Sequence, residues 1–185
     1  MSTLESLAND LEPLTASGHP PVHLWQPKHQ GEIDIVIQRD GSWLHEGGLI
    51  KREALVKLFS SVLWFEERQH YLKTPGEQMK ITVETTPFLM TQLTVQNPHT
   101  VEQKLVLTSS YGDVVVLGER NKLWLDSSVI PGQEVPLVIV RYEMAGRLTN
   151  SILHELAELG EVISDEQGEH LRLISDGYTF DLPIA

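Results

Sequence analysis

The chain has 185 residues, 41% hydrophobic and 22% charged, with a formal net charge of −12 and no cysteine. That length supports one generous domain or two small ones. The charge argues against a nucleic-acid polymer or an anionic membrane as partner, and the lack of cysteine excludes disulfides, thiolate metal sites and cysteine nucleophiles. The opening MSTLESLANDLEPL has neither the basic region nor the apolar core of a signal peptide. No apolar run approaches the ~20 residues that span a bilayer. A cytoplasmic protein is expected.

In chain order, Ser2 and Glu5 fit a capping box before a short helix, with Leu4, Leu7, Ala8 and Leu11 on one face and Pro13 as its stop. Pro20, Pro21, Pro27, Gly18 and Gly31 then mark an extended segment, anchored by Val22, Leu24 and Trp25. Ile33, Ile35 and Ile37 alternate with Asp34, Val36 and Gln38, which predicts a half-buried strand. Arg39-Asp40-Gly41 turns it into a returning arm opened by Trp43 and Leu44. Gly47-Gly48 breaks that arm. The apolar stripe Leu55, Leu58, Phe59, Val62 and Leu63 predicts a helix from about Lys51 to Phe65.

A short strand over 70–72 leads to Pro75-Gly76, whose composition suits a type II turn with glycine at positive φ. Strands are expected at 79–83, 88–95, 104–109, 114–117, 123–125 and 137–140. A second helix is read from about Glu143 to Leu159, with Gly160 as its C-terminal cap. Two strands near 171–174 and 178–182 end the chain. DIVIQRDGSWL (34–44) echoes DVVVLGERNKLWL (113–125), so a duplicated strand–helix unit and chance similarity between hairpins both remain open.

Charge is unevenly spread. From Lys51 to Lys80 six basic residues meet four acidic ones, whereas from Asn150 to Ala185 eight acidic residues face Arg172 alone. This fits either a cationic pocket within a repelling field or ordinary solvated helix faces. Arg52, Lys73, Lys80, Arg141 and Arg147 would converge on an anion in the first case and make scattered surface ion pairs in the second. Tyr71 and Trp43 offer stacking faces or serve the core.

No catalytic set is recognisable. His154-Glu155-Leu156-Ala157-Glu158 has one histidine of the zinc motif HExxH, with Glu158 where the second belongs. An exposed helical His–Glu pair is the plainer reading. His45-Glu46 offers acid–base groups without a visible partner, and Ser60-Ser61 lacks nucleophile-elbow spacing. Gly47-Gly48 before a helix hints at phosphate binding, with Lys51 and Arg52 opposing the helix dipole unless an anion is near. A hairpin exit is the alternative.

The order PPVHLWQP, GEIDIVIQRDGSWLHEGGLIKREALVKLFSSVL, HYLKTPGEQMKITVE and PF resembles the proteobacterial family called domain of unknown function 1285. The resemblance rests on Pro20-Pro21, Trp25, Asp40-Gly41, Trp43, Gly47, Ile50, Arg52, Leu55, Phe59-Ser60, Tyr71-Leu72, Thr74-Pro75, Glu77 and Pro87-Phe88. Val140-Arg141 and Arg147 extend it more loosely. Gly48-Leu49 stands where the family tends to have Ser-Pro, and Gln78 where it tends to have lysine. The resemblance implies two small α+β units, the second similar in outline to pleckstrin-homology-like barrels, and no established enzymatic activity.

The expectation is therefore an α+β protein of mostly antiparallel strands with one long helix in each of two packed subdomains. An N-terminal arm would cover 1–19, the first subdomain 20–78 and the second 79–185. Its function would be small-molecule binding or sensing in signalling or regulation. A nucleotide-like or other anionic ligand would lie between the subdomains, held by Arg52, Lys80 and Arg141 for charge, Tyr71 for stacking, and Thr74 and Glu77 for hydrogen bonds. No metal or other cofactor is called for. The alternatives are a protein-interaction module whose acidic final segment meets a basic partner, and a hydrolase using His45 or His154.

Overall fold

The computed structural model describes residues 4–11, 19–166 and 168–184. Ser2, Pro13 and most of the expected arm lie outside these residues. The chain divides into two compact units, 1–85 and 86–185. It is mostly β with few helices: fifteen strands and three α-helices among the described residues.

In the first unit α1 (Leu4–Leu11) buries Leu7 and Leu11 and packs on α2 (Glu53–Ser61). A 3-10 turn over Val22–Leu24 buries Val22 but leaves Leu24 68% exposed, so only one of these two residues anchors the segment. β1 (His29–Ile37), β2 (Trp43–His45) and β3 (Gly48–Leu49) form one meander. β4 (Leu63–Glu66), β5 (Gln69–Lys73) and β6 (Glu77–Val83) form another. They join into one sheet, ordered β3-β2-β1-β6-β5-β4, with β1 and β6 parallel.

Period-two alternation places Leu63, Leu72 and Met79 opposite one another on one face. All three are buried. Trp43 and Phe59, both buried, approach at 6.4 Å between ring centroids. Removing a side chain of that size from water contributes roughly 2–3 kcal/mol.

Residues 79–83 belong to this sheet, so the boundary falls at Thr85/Thr86 rather than after residue 78. The helix also differs from expectation: it begins at Glu53 and ends at Ser61. Ser60 and Ser61 turn their hydroxyls back to the carbonyls of Lys57 and Leu58, at 2.9 and 2.6 Å. The β-branched and aromatic residues that follow favour strand.

Among the described residues, four two-residue hairpin loops have positive φ at both central positions: Glu46-Gly47, Glu67-Arg68, Tyr142-Glu143 and Asp176-Gly177. That is the geometry of type I′ turns, whose twist matches paired strands. Gly76 behaves otherwise. It avoids the left-handed region, and the turn at 74–77 is organised by Thr74, whose Oγ1 accepts from the amides of Gly76 and Glu77 at 3.2 and 3.0 Å. A Cβ on Gly76 would meet nothing within 4 Å, whereas Gly47 has φ +75. Gly76→Ala is therefore expected to raise stability by about 0.4–1 kcal/mol through the unfolded chain. Gly47→Ala should lower it by about 1 kcal/mol. Urea unfolding of the two variants checks the order, and the reverse order would refute this account.

The second unit holds β7 (Phe88–Gln96), β8 (Lys104–Ser109), β9 (Val114–Val116), β10 (Leu123–Ile130), β11 (Gln133–Arg141) and β12 (Met144–Leu148). Their order is β10-β11-β12-β7-β8-β9, with β12 and β7 parallel. As in the first unit, two meanders meet along a parallel pair made of the first and last strands. α3 (Asn150–Leu159) follows and packs on β7, burying Ile152 and Leu156. A separate meander closes the unit: β13 (Glu161–Asp165), β14 (Gly168–Ser175) and β15 (Tyr178–Pro183).

The expected helix from Glu143 is thus a hairpin turn, a strand and a shorter helix. The helices have nine and ten residues, so neither unit carries a long one. Gly160 caps α3 through its amide, 3.0 Å from the Leu156 carbonyl, but without a left-handed conformation. Close approach accounts for this glycine: a Cβ there would lie 2.5 Å from Leu171 Cδ1.

Candidate functional site

The sheet face opposite Leu63, Leu72 and Met79 carries polar and aromatic groups. Trp64 on β4, Tyr71 on β5, Lys80 on β6 and Glu32 on β1 form one cross-strand row. Lys73 and Gln78 form the next pair along the same face. Gln78 is 4% exposed and Lys73 only 6%. Lys73 Nζ sits 4.3 Å from the Trp64 ring centroid, a cation–π arrangement that strengthens as water is excluded. Burial holds its pKa below the usual 10.5, partly offset by the charge of Glu66. Glu66 itself accepts weakly from Gln78 Nε2, at 3.4 Å. Among the described residues no carboxylate forms an ion pair with Lys73. A shielded ammonium against an aromatic ring is electrostatically poised for an anion.

The structure brings together four of the six sequence-predicted residues. Tyr71 and Lys80 are direct cross-strand neighbours, and Lys80 Nζ meets Glu32 Oε1 at 3.5 Å. Thr74 and Glu77 build the adjoining β5–β6 turn, where the Thr74 amide donates to the Glu77 carbonyl at 2.8 Å. Arg52 occupies the N-cap position of α2 and is exposed. Its predicted conflict with the helix dipole is offset by Glu53, which opens the first turn. Gly47-Gly48 lies in the β2–β3 hairpin, away from that helix start.

Arg141 lies in the second unit. Its Nε is 3.1 Å from Asp113 Oδ1, with the two side chains 13% and 5% exposed, and its guanidinium carbon sits 5.0 Å from the Phe88 ring centroid. Burial lowers its pKa below the usual arginine value, and Asp113 only partly restores it.

Ser60 and Ser61 are buried and bonded to their own helix. His154 and Glu158 are exposed on α3, and no group of three or more potential metal-ligating side chains occurs among the described residues. His45 and Glu46 line an open cleft of about 830 Å³ in the first unit, together with His29, Glu32, Asp34 and Glu5. Trp64, Gln78 and the burial of Lys73 escaped the sequence reading. Alternation places Lys73 beside Tyr71's face, but only three-dimensional packing removes it from water.

The molecule is thus a two-unit, mostly-β protein with a cation–aromatic face on the sheet of its first unit. Residues 20–86 match the N-terminal domain of the family described as domain of unknown function (DUF1285). Residues 87–182 match the C-terminal domain of the same family, described as a protein of unknown function. The chain belongs to the DUF1285 family. It is similar to a solved DUF1285 family protein from Silicibacter pomeroyi DSS-3, with TM-score 0.86 and 33% identity over 100% of this chain and 95% of that one. A DUF1285 family protein from Shewanella baltica OS155 shares the fold, with TM-score 0.54 and 18% identity over 69% of this chain and 92% of that one. No curated protein matches. Among the described residues no helix is long and apolar enough to cross a membrane.

Proposed function

We propose that the chain is a ligand-binding or sensor protein that takes a small anionic, nucleotide-like molecule on the β4–β6 face of its first unit. The observation that carries this reading is Lys73, buried against Trp64 with no carboxylate paired to it among the described residues. Lys73 and Lys80 would hold the anion, Tyr71 would stack on a ring, and Thr74 and Glu77 would fix polar edges, with Arg52 as an outer charge. A signalling role in the cytoplasm accords with the chain's acidity and lack of cysteine. The common strand order of the two six-stranded sheets favours a duplicated unit. A pleckstrin-homology-like barrel would describe the second unit alone.

Lys73→Met separates stability from binding. A lysine whose folded pKa is lowered destabilises the fold at all pH values below that pKa, and this deficit fades as pH rises towards 10.5. An apolar chain of similar length is thus expected to raise stability at pH 7 by about 0.5–2 kcal/mol. It should also abolish nucleotide binding. Thermal shift and calorimetric titration with nucleoside mono-, di- and triphosphates measure both. Absence of any shift at millimolar nucleotide, or unchanged affinity in Lys73→Met, would rule the proposal out.

A further inference from the structure

β1 is paired unequally along its two edges. Residues His29 to Glu32 pair with β6 on one side, while β2 reaches only Ile35 to Ile37 on the other. The register shift between Glu32 and Val36 marks the place where the strand changes course. No described strand pairs with His29–Ile33 on the β2 side, and the last bond on that edge runs from the Glu46 amide to the Asp34 carbonyl, at 3.1 Å. The alternate amides and carbonyls of about five residues therefore face the 830 Å³ cleft.

The cleft is chemically one-sided. Glu5, Glu32, Asp34 and Glu46 line it, and among the described residues no lysine or arginine does. Asp34 and Glu46 are exposed, and the Glu32 side chain is 78% exposed despite its contact with Lys80. Charged residues and bulges commonly shield a sheet edge from indiscriminate pairing. Here the shield has a single sign, so it repels acidic strands and leaves basic ones attracted.

We propose that the His29–Ile33 edge of β1 is a docking site for an extended basic segment of a partner protein, which adds as a strand beside β1. Main-chain hydrogen bonds supply the pairing, and lysines or arginines at alternate positions meet Glu32, Asp34 and Glu46. This site lies along the β1 edge and shares only Glu32, the end of the cross-strand row, with the Lys73 face.

A fluorescein-labelled heptapeptide alternating lysine and valine tests the idea against full-length protein. Saturable binding is expected, with amide chemical-shift changes centred on residues 29–34. Two peptides N-methylated on complementary sets of alternate amides should differ, one binding and the other not, because only one edge of an added strand bonds to β1. The Asp34→Lys/Glu46→Lys variant should bind at least about tenfold more weakly, with an unchanged circular dichroism spectrum. Equal binding of a glutamate–valine peptide, indifference to both methylation patterns, or shifts centred elsewhere would overturn the proposal. So would slow exchange, in the free protein, of those alternate amides of residues 29–33 that point away from β6, which would show an occupied edge. Concentration-dependent self-association through this edge would assign it to a second copy of the chain instead.

Discussion

Asp113→Ala is expected to lower the stability of the second unit by about 3–5 kcal/mol, the usual consequence of removing one member of a buried ion pair. Asp113 is 5% exposed; Arg141 Nε lies 3.1 Å from its Oδ1, and the Ser109 hydroxyl donates to its Oδ2 at 2.9 Å. Ser109 Oγ in turn accepts from the amides of Tyr111 and Asp113, at 3.2 and 3.0 Å, tying the β8–β9 turn together. Without the carboxylate, a guanidinium that burial already disfavours stays charged, with the Phe88 ring against it and its ion pair gone. The double variant Asp113→Leu/Arg141→Met should recover most of the loss, since it leaves no stranded charge. Urea unfolding of the full chain measures both. If Asp113→Ala cost less than about 1 kcal/mol, as surface ion pairs do, the pair would not be the anchor described here. Arg141, expected from sequence to help hold an anion's charge, lies in this structure against Asp113 and the Phe88 ring.

Strands were legible wherever alternation was strong, as in 33–37 and 79–83. They were hidden where turn chemistry was unusual. Type I′ loops normally advertise themselves through asparagine or glycine. Asp176-Gly177 obeys that rule, but Tyr142-Glu143 enters the same conformation with two ordinary side chains. Met144 and Leu148 then fall at helical spacing with Ile152 and Leu156, so strand β12 and helix α3 read as one continuous helix. The same happened after Ser61, where Val62 and Leu63 extend the apolar stripe of α2 although the backbone has already turned into β4. Periodicity of four cannot distinguish a helix from a strand followed by a helix when both bury one face. For the candidate site, alternation does place Tyr71 opposite Lys80 once strand pairing is known. The shielding of Lys73, which gives the face its character, comes from residues distant in the chain and has no local signal. The β1 edge was equally invisible, because it depends on where β2 stops.

Acid should weaken the first unit through His70. This histidine is half-buried on β5, opposite Phe65 and Ile81, with its ring 4.8 Å from that of Phe65. Desolvation pushes its pKa from 6.5 down to about 4. In the unfolded chain the imidazole takes up a proton near its ordinary value, whereas the folded protein resists until about pH 4. The unfolded state therefore binds more protons throughout that window, and stability falls as pH drops from 6.5 to about 4. Above 6.5 the contribution of His70 is fully present, and below about 4 the loss is complete. At about 1.4 kcal/mol per pH unit, the gap corresponds to roughly 3 kcal/mol. His70→Phe keeps a ring beside Phe65 and removes the titrating group. Urea unfolding at pH 7, 6, 5 and 4.5 should show the native chain losing stability steadily relative to this variant. Exposed carboxylates titrate alike in both proteins and cancel in the difference. Parallel pH profiles would contradict this assignment, as would an imidazole resonance of His70 that titrates near 6.5 in the folded protein.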